Sequence, residues 1–326
     1  MTDSVKNSTT ASCGNSKIYA LALTGPTASG KTALSLSLAE SLSAEIISLD
    51  SMQIYKNMDI GTAKPTAEER QRATHHMIDF LMPGEKYSAE AYKCDAVKVA
   101  QEVSERGNIP LFVGGTGLYL DSLLFERPFD ESSGKSNVRD RLAAEAEELG
   151  AHALHERLRE VDPESAEKIH ENNVRRVIRA LEIYETTGRK KSELDAIPSP
   201  AKYDFLAFEL RRTDMDDRYA RIEKRCDEMI AAGLLDETKK LLDMGIFEKN
   251  PTAAQAIGYK EMLGCVRGEV DISEARERLC IATRKYAKRQ VTWFSAKNYI
   301  ETVGLTDSMP DPTDALAARV REWIKN

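Results

Sequence analysis

The segment from Gly25 to Thr32, GPTASGKT, constrains the fold more than any other part of the chain. It matches the pattern GxxxxGK[ST], in which glycines let backbone N–H groups surround phosphate oxygens at the start of a helix. The apolar run 17–24 predicts a buried strand before this segment, and leucines spaced four apart predict an amphipathic helix over 32–43. The sequence therefore predicts a phosphate-binding loop between a strand and a helix.

Further apolar runs alternate with helical stretches along the chain. Strands are predicted at 45–49, 76–80, 109–113 and 203–210, and a helix at 88–106. Strands that alternate with helices are typical of βαβ units in a parallel sheet, with ligands at the carboxyl ends of the strands. We therefore predict an α/β fold with a P-loop NTPase-like parallel sheet core.

The pattern changes between residues 121 and 200, which are strongly charged, helical and without a convincing strand. This stretch is predicted to be an all-helical insertion domain. Residues 18–120 and 201–326 then form the catalytic core, which is mostly helical beyond Asp214. Residues 1–17 are rich in Ser, Thr and Asn and are predicted to be a disordered tail.

The charge pattern leaves nucleic acid binding open. The net charge is −7, yet 172–191 carries six basic residues against two acidic ones, and 276–289 carries six against one. Such stripes are either solvated helix faces or contacts for an RNA backbone.

Composition favours a cytoplasmic protein. No apolar run approaches the ~18 residues of a membrane span, and the N-terminus has no apolar stretch of the secretory kind. Five cysteines without CxxC spacing argue against a disulfide framework and a zinc site.

Adjacent His75 and His76 on a strand point to opposite faces, so a structural role is favoured over a shared metal.

The sequence of the loop indicates which residues bind phosphate groups and a metal ion. Its diphosphate-binding residues are Gly25, Thr27, Ala28, Ser29, Gly30, Lys31 and Thr32. Lys31 supplies positive charge, and the Thr32 hydroxyl is placed to bind Mg²⁺. Asp50 follows the second strand, where a carboxylate can hold Mg²⁺ through water, take a proton from a nucleophile, or cap a turn. A kinase, an NTP hydrolase and an enzyme with a pyrophosphate substrate all remain possible.

Six motifs in order narrow the choice: GPTASGKT, DSMQIYKNMDIGTAKP, GGTGLYL, VRRVIRALEIY, QAIGYKEM and KRQVTWF. From Ile18 to Phe294 the chain resembles the bacterial tRNA dimethylallyltransferase family, also called tRNA isopentenyltransferases. The resemblance implies transfer of a dimethylallyl group from dimethylallyl diphosphate to the exocyclic N6 amine of adenosine 37. This adenosine lies next to the anticodon, in tRNAs that read codons beginning with U.

The resemblance also implies residue roles. Asp50 is the base for the adenine amine, Thr116 lies near that amine and the pyrophosphate, and Arg225 grips the pyrophosphate. Residues implied to contact tRNA are Asp50, Ser51, Met52, Gln53, Thr116, Arg175, Arg176, Arg179, Gln255, Gly258, Tyr259 and Lys260. The family usually has arginine at the positions of Gln255 and Lys260. The insertion corresponds to the family's anticodon-stem domain, and no obligate protein partner is indicated.

Three alternatives compete with this interpretation. An adenylate isopentenyltransferase acts on free AMP, ADP or ATP with the same core, but has no need for the charged insertion or the QAIGYK segment. A P-loop kinase or ATPase needs a second magnesium anchor, for which only Asp79 offers itself. A non-catalytic RNA-binding module does not need the intact GKT with Asp50.

Overall fold

The structure is a computed structural model that describes residues 19–85, 87–125, 137–197, 200–306 and 308–325. The predicted disordered tail lies outside these residues. The chain divides into two compact units, one of Met1–Leu124 with Tyr203–Asn326 and one of Phe125–Lys202. The second unit begins four residues after the predicted insertion and ends two residues after it.

The first unit contains a parallel six-stranded sheet. Its strands are β1 (Tyr19–Thr24), β2 (Ala44–Ser48), β3 (His75–His76), β4 (Ile109–Gly114), β5 (Asp204–Arg212) and β6 (Ile300–Leu305). Their order across the sheet is β3-β2-β4-β1-β5-β6, and every pairing is parallel. The predicted α/β class with a parallel sheet core is thereby confirmed. The carboxyl ends of β1, β2, β4 and β5 all meet at one edge, and the motifs GPTASGKT, DSMQIYKNMDIGTAKP and GGTGLYL begin there, at the ends of β1, β2 and β4.

Four helices accompany the first strands: α1 (Lys31–Leu42), α2 (Ala67–Arg72), α3 (Ala89–Glu105) and α4 (Gly117–Leu124). Leu34, Leu38 and Leu42 of α1 are buried and belong to one core cluster with residues of β1, β4 and β5. The helix period of the sequence therefore identified the core face of α1 correctly. Ser88 caps α3 by accepting a hydrogen bond from the amide of Ala91.

The second unit is helical in its described residues. It contains α5 (Val138–Val161), α6 (Pro163–Lys168), α7 (Val174–Thr187) and α8 (Lys191–Asp195). Gly150 interrupts α5 with a left-handed φ of 87°. Apolar residues of α5, α6 and α7 share a core of their own, which includes Leu142, Leu158, Val177 and Leu181.

The chain ends in seven further helices of the first unit. These are α9 (Met215–Ala231), α10 (Leu234–Asp243), α11 (Ile246–Lys249), α12 (Pro251–Ala254), α13 (Tyr259–Val266), α14 (Ile272–Ser295) and α15 (Thr313–Lys325). Ile54, Tyr55 and Met58 from the segment after β2 share a second core cluster with α9, α10, α13 and α14. This cluster fixes the segment after β2 to the C-terminal helices. In the part of the chain that the structure describes, no helix is both long and apolar enough to span a membrane.

One strand prediction is wrong, and one strand was not predicted. The strand predicted at 76–80 is limited to His75–His76, because Met77 and Asp79 adopt positive φ angles of 60° and 56° that end the extended backbone. Strand β6 was missed. It pairs only with β5, and its Glu301 and Thr302 are exposed, so it lacks the apolar run of a central strand.

A carboxylate near the sheet edge ties β2, β3 and α3 together. Glu45 of β2 accepts hydrogen bonds from Arg106 at 3.1 and 2.7 Å, from Asn108 at 2.7 Å, and lies 2.6 Å from Nε2 of His76. The hydrogen bond from Arg106 is the largest cause that lowers the pKa of Glu45 to about 2. His76 therefore has the structural role expected for it.

We expect Glu45→Gln to lower the free energy of unfolding by about 1–3 kcal/mol at neutral pH, because the hydrogen bonds to a charged acceptor are weakened. A depressed pKa stabilises the fold above the unfolded value of 4.5, and the contribution is lost as the pH falls towards about 2. Urea unfolding at about pH 7 and about pH 3 should show the difference between parent and variant shrinking in acid. Exposed Glu322→Gln is the control, and a pH-independent difference would contradict the prediction.

Candidate active site

The predicted phosphate loop follows β1 directly and leads into α1. Gly25 has a φ of 141°, and a Cβ there would lie 2.4 Å from the carbonyl oxygen of Leu210, so the position requires glycine. Gly30 caps α1 with a φ of 97°. Nζ of Lys31 donates to the carbonyl oxygen of Pro26 at 2.7 Å, so the ammonium folds back over the loop.

Two hydroxyls of the loop differ in their surroundings. Thr32 is exposed in the first turn of α1. Ser29 is buried, and its Oγ has no hydrogen-bond partner among the described residues. A buried hydroxyl without a partner costs free energy unless a ligand or water satisfies it. The loop therefore offers a hydroxyl on each side of Lys31 to an anion.

Asp50 stands at the carboxyl end of β2. One carboxylate oxygen, Oδ1, accepts hydrogen bonds from the amides of Met52 at 2.8 Å and Gln53 at 3.3 Å. Asp50 thus caps the turn, which was one of its three possible roles. The bonds to Oδ1 also orient the carboxylate and leave Oδ2 without a protein hydrogen bond among the described residues, so the cap does not exclude proton transfer.

Thr116 lies against the same turn from β4. Its amide donates to the carbonyl oxygen of Leu49 at 3.1 Å, and its Oγ1 accepts from the amide of Ser51 at 3.3 Å. A Cβ at Gly114 would lie 2.5 Å from the Leu49 oxygen, so glycine permits this close approach. The structure therefore brings Thr116 and Asp50 together, as predicted.

Arg225 of α9 completes a set of three interacting charges. Burial is the main cause that lowers the pKa of Arg225 and raises the pKa of Asp50. Burial and then the positive charge of Arg225 lower the pKa of Lys31 to about 7, while Asp50 acts in the opposite direction. Lys31 and Arg225 therefore lie together in a partly buried site beside the phosphate loop, and these two cations are the groups that can bind an anion there.

The donor atoms of this site fit Mg²⁺. Hydroxyl and carboxylate oxygens are hard ligands, and Mg²⁺ usually takes one or two protein ligands together with substrate phosphates and water. Within the described ranges, no cluster of three or more His, Cys, Asp or Glu side chains could hold a metal alone. Thr32 and Asp50 are the residues that would hold such an ion together with the phosphate groups of a ligand.

Asp79, offered above as a second magnesium anchor, is engaged elsewhere. Its carboxylate forms ion pairs with Lys64 and, at 2.7 Å, with Arg70. Lys64 also bonds Asp59 at 2.7 Å and the carbonyl oxygen of Tyr55. Asp79 therefore anchors the segment after β2, and this observation argues against the kinase interpretation.

The predicted tRNA contacts of the segment after β2 differ in availability. Ser51 and Met52 are half-buried near Asp50. The Gln53 side chain is fully used inside the protein: its Nε2 donates to the carbonyl oxygens of Thr62 and Ala63, and its Oε1 accepts from Ser48. An RNA contact through the Gln53 amide is therefore not available in this structure.

The residues of the QAIGYK segment also differ in their exposure to solvent. Gln255 and Lys260 are exposed, and both line a cavity of about 380 Å³. Gly258 is buried, and Tyr259 is 0% exposed with its hydroxyl donating to Glu237 at 2.6 Å. The Tyr259 ring therefore belongs to the core, and an RNA contact through its side chain is not available in this structure.

The predicted contacts of the helical unit all lie on α7. Arg175 and Arg176 are exposed. Arg179 forms an ion pair at 2.8 Å with the buried Glu182, which Arg139 also contacts. The charge of Arg179 is thus largely used within its own unit.

Sequence reasoning missed several residues of the site. Gln290 and Tyr286 of α14 lie beside it, and Tyr286 is close enough to Asp50 for the carboxylate to raise the tyrosine pKa, after burial as the main cause. Buried Glu209 of β5 acts on the charge of Lys31. Gln290 belongs to the KRQVTWF motif, so the signal was present without an assigned role.

The parallel sheet, the glycine-rich loop after β1 and the carboxylate after β2 define a P-loop α/β enzyme. The family model for IPP transferases matches residues 53–297, and the chain belongs to this family. A tRNA dimethylallyltransferase of Caldanaerobacter subterraneus subsp. tengcongensis is 43% identical over 87% of this chain and 91% of its own. One from Bacillus velezensis is 46% identical over 90% and 92%.

Solved structures agree with the family assignment. A tRNA isopentenylpyrophosphate transferase from Bacillus halodurans is 40% identical, with a TM-score of 0.71 and coverage of 95% of this chain and 97% of its own. A eukaryotic dimethylallyltransferase acting on tRNA is 31% identical, with a TM-score of 0.81 and coverage of 95% and 80%.

The lowered pKa of Lys31 makes anion binding depend on pH. Above about pH 7 much of the free protein carries a neutral Lys31, and an anion in the loop restores the ammonium by raising its pKa. We expect the parent to take up more protons than Lys31→Met when inorganic pyrophosphate binds at about pH 8. We also expect the affinity of Lys31→Met to be at least about 10-fold lower.

Calorimetric titrations in buffers of different ionisation enthalpy measure this uptake, and the neutral variant corrects for protonation of the ligand itself. Equal proton uptake by both proteins would show that Lys31 does not meet the anion.

Proposed function

We propose that this chain transfers a dimethylallyl group from dimethylallyl diphosphate to the exocyclic N6 amine of adenosine 37. The acceptors are tRNAs that read codons beginning with U, and diphosphate is released. The observation that best supports this is the convergence of Lys31, Arg225 and Asp50 on one partly buried site beside the phosphate loop. The relatives described above are tRNA dimethylallyltransferases and a tRNA isopentenylpyrophosphate transferase, which supports the choice of tRNA as acceptor.

The loop and Arg225 bind the donor. Lys31, Arg225 and the loop amides that are not bonded within the protein bind the diphosphate, and the buried hydroxyl of Ser29 gains a partner. As the allylic C–O bond breaks, its electron pair stays on the departing diphosphate, and these groups stabilise the growing charge. Thr32 would hold Mg²⁺ together with the diphosphate, and the ion would neutralise further charge on the leaving group.

Asp50 and Thr116 act on the accepting amine of the adenosine. The aromatic amine is a weak nucleophile because its lone pair is delocalised into the ring. The new C–N bond therefore forms while Oδ2 of Asp50 takes the amine proton. Burial raises the pKa of Asp50, which makes its carboxylate a stronger base than an exposed one. Thr116, fixed to the Asp50 turn through Ser51, lies where its hydroxyl can meet the same amine.

The substrate base is stacked in the anticodon loop, so it must leave the stack to reach this site. Contacts between the protein and the RNA backbone stabilise the anticodon loop with this base unstacked. On α14 the basic stripe is only partly available, because Arg276 pairs with Asp227, Arg278 with Glu274 and Arg284 with Glu223. Exposed Lys285 and Arg289 remain on the edge of α14 that carries Tyr286.

Incubation of the protein with radiolabelled dimethylallyl diphosphate, Mg²⁺ and either tRNA or AMP tests the proposal. We expect label in tRNA only. Label in AMP would favour the adenylate isopentenyltransferase instead, and phosphoryl transfer from ATP without prenylation would favour a kinase.

Asp50→Asn keeps the shape of the side chain and its acceptor oxygen for the turn, but removes the proton acceptor. We expect the single-turnover rate of transfer to fall by roughly 10²–10⁴-fold, the usual scale for loss of a general base. Affinities for tRNA and donor should change much less. Transfer at close to the parental rate would mean that Asp50 is not the base, and loss of Mg²⁺ affinity alone would assign it to the metal.

Replacement of both Lys285 and Arg289 by alanine should weaken tRNA binding, because two phosphate contacts are lost. The slope of log affinity against log salt should fall in magnitude by about 1.4, at about 0.7 per contact to single-stranded nucleic acid. The matched control is the pair Arg276→Ala and Arg278→Ala, which removes the same charge from the same helix but from arginines already held by acids. Equal slopes for the two double variants would contradict the assignment.

A further inference from the structure

Gln290 joins the two loops on which the reaction depends. This side chain of α14 is only 6% exposed, and both ends of its amide are used. Its Oε1 accepts a hydrogen bond from the amide of Thr27 at 2.9 Å, and its Nε2 donates to the carbonyl oxygen of Gly115 at 3.1 Å. One planar amide thus bridges the phosphate loop and the loop that carries Thr116.

The fit around this amide is close. A Cβ at Gly115 would lie 2.0 Å from Nε2 of Gln290, so glycine is what admits the amide between the loops. The Thr27 amide is satisfied by Gln290 and is therefore not a free phosphate donor in this structure. A carboxylate could accept from Thr27 but could not donate to Gly115, and a thioether could do neither.

We propose that Gln290 is a positioning residue of the transfer reaction, since its amide holds the diphosphate loop and the Thr116 loop in fixed register. This inference rests on the proposed function. The donor is held on one side of the bridge and the accepting amine on the other, so the bridge sets the separation of the reacting carbon and nitrogen. Misplacement of reacting groups by about 1 Å costs on the order of 10²-fold in rate.

Gln290→Met retains the length and the apolar stem of the side chain but breaks both bonds. We expect its single-turnover rate, at saturating tRNA and donor, to fall by roughly 10–100-fold. Its affinity for tRNA should stay within about 3-fold of the parent, a difference of less than 1 kcal/mol. A residue that only stabilises the fold would lower the melting temperature and leave the rate of the folded enzyme unchanged, and that result would overturn the proposal.

Gln290→Glu provides a second readout if Gln290→Met does not fold. Its carboxylate keeps the bond from Thr27 but faces the carbonyl oxygen of Gly115 without a proton to donate. When protonated, the carboxyl group can donate to that oxygen again. The ratio of variant to parental single-turnover rate should therefore rise as the pH is lowered, and a ratio that does not change with pH would contradict the bridge.

A double-mutant cycle with Thr116→Ala tests whether Gln290 affects the transfer rate through Thr116. Because Gln290 is proposed to act partly by placing Thr116, Gln290→Met should cost less in the Thr116→Ala background than in the parent. Equal cost in both backgrounds would show that Gln290 does not act through Thr116. Every rate is compared with that of the parent on tRNA, so a parent without transfer would refute the proposed function itself and be distinguished from failure of the bridge.

Discussion

The site is organised by the burial of three charges that compensate one another. Lys31 and Arg225 are both disfavoured by burial and by each other, and Asp50 is the carboxylate that offsets part of this cost. In the proposed reaction an anionic diphosphate would offset the charge of these two cations, so its binding would relieve a cost that the free protein bears. The same cations restrain the rise in the pKa of Asp50 and keep its ionised form accessible for proton transfer.

The segment after β2 must be rigid for Asp50 to be placed, and buried polar contacts provide this. Lys64 bonds Asp59, Asp79 and the backbone of Tyr55. Glu237 accepts the amides of Asp59, Ile60 and Gly61 at 3.0 Å as well as the hydroxyl of Tyr259. Gln53 and Tyr259, which the family resemblance implies as RNA contacts, have side chains bonded within the protein. These two side chains therefore support the segment that carries Asp50.

The sequence predicted the elements with strong local signals and failed where tertiary contacts decide. The loop, α1 and β5 could be predicted from the spacing of glycines and the period of apolar residues. Strand β6 has no such pattern, because its extended backbone depends on its pairing with β5. Asp50 could be placed because the carboxyl ends of parallel strands meet, whereas Thr116 was assigned only through the family resemblance. Arg225 comes from a helix more than a hundred residues further along the chain, and no local pattern brings it to Lys31.

Helix α14 connects the P-loop core to the C-terminal helices. Its apolar face, with Leu279 and Ala287, packs into the core cluster that also holds the segment after β2. The edge of the same helix carries Tyr286 beside Asp50, and Gln290 lies between the two site loops. A shift of α14 would therefore change the donor loop, the Thr116 loop and the Asp50 turn together. The helix that carries the exposed Lys285 and Arg289 is thus bonded directly to the phosphate loop and to the loop of Thr116.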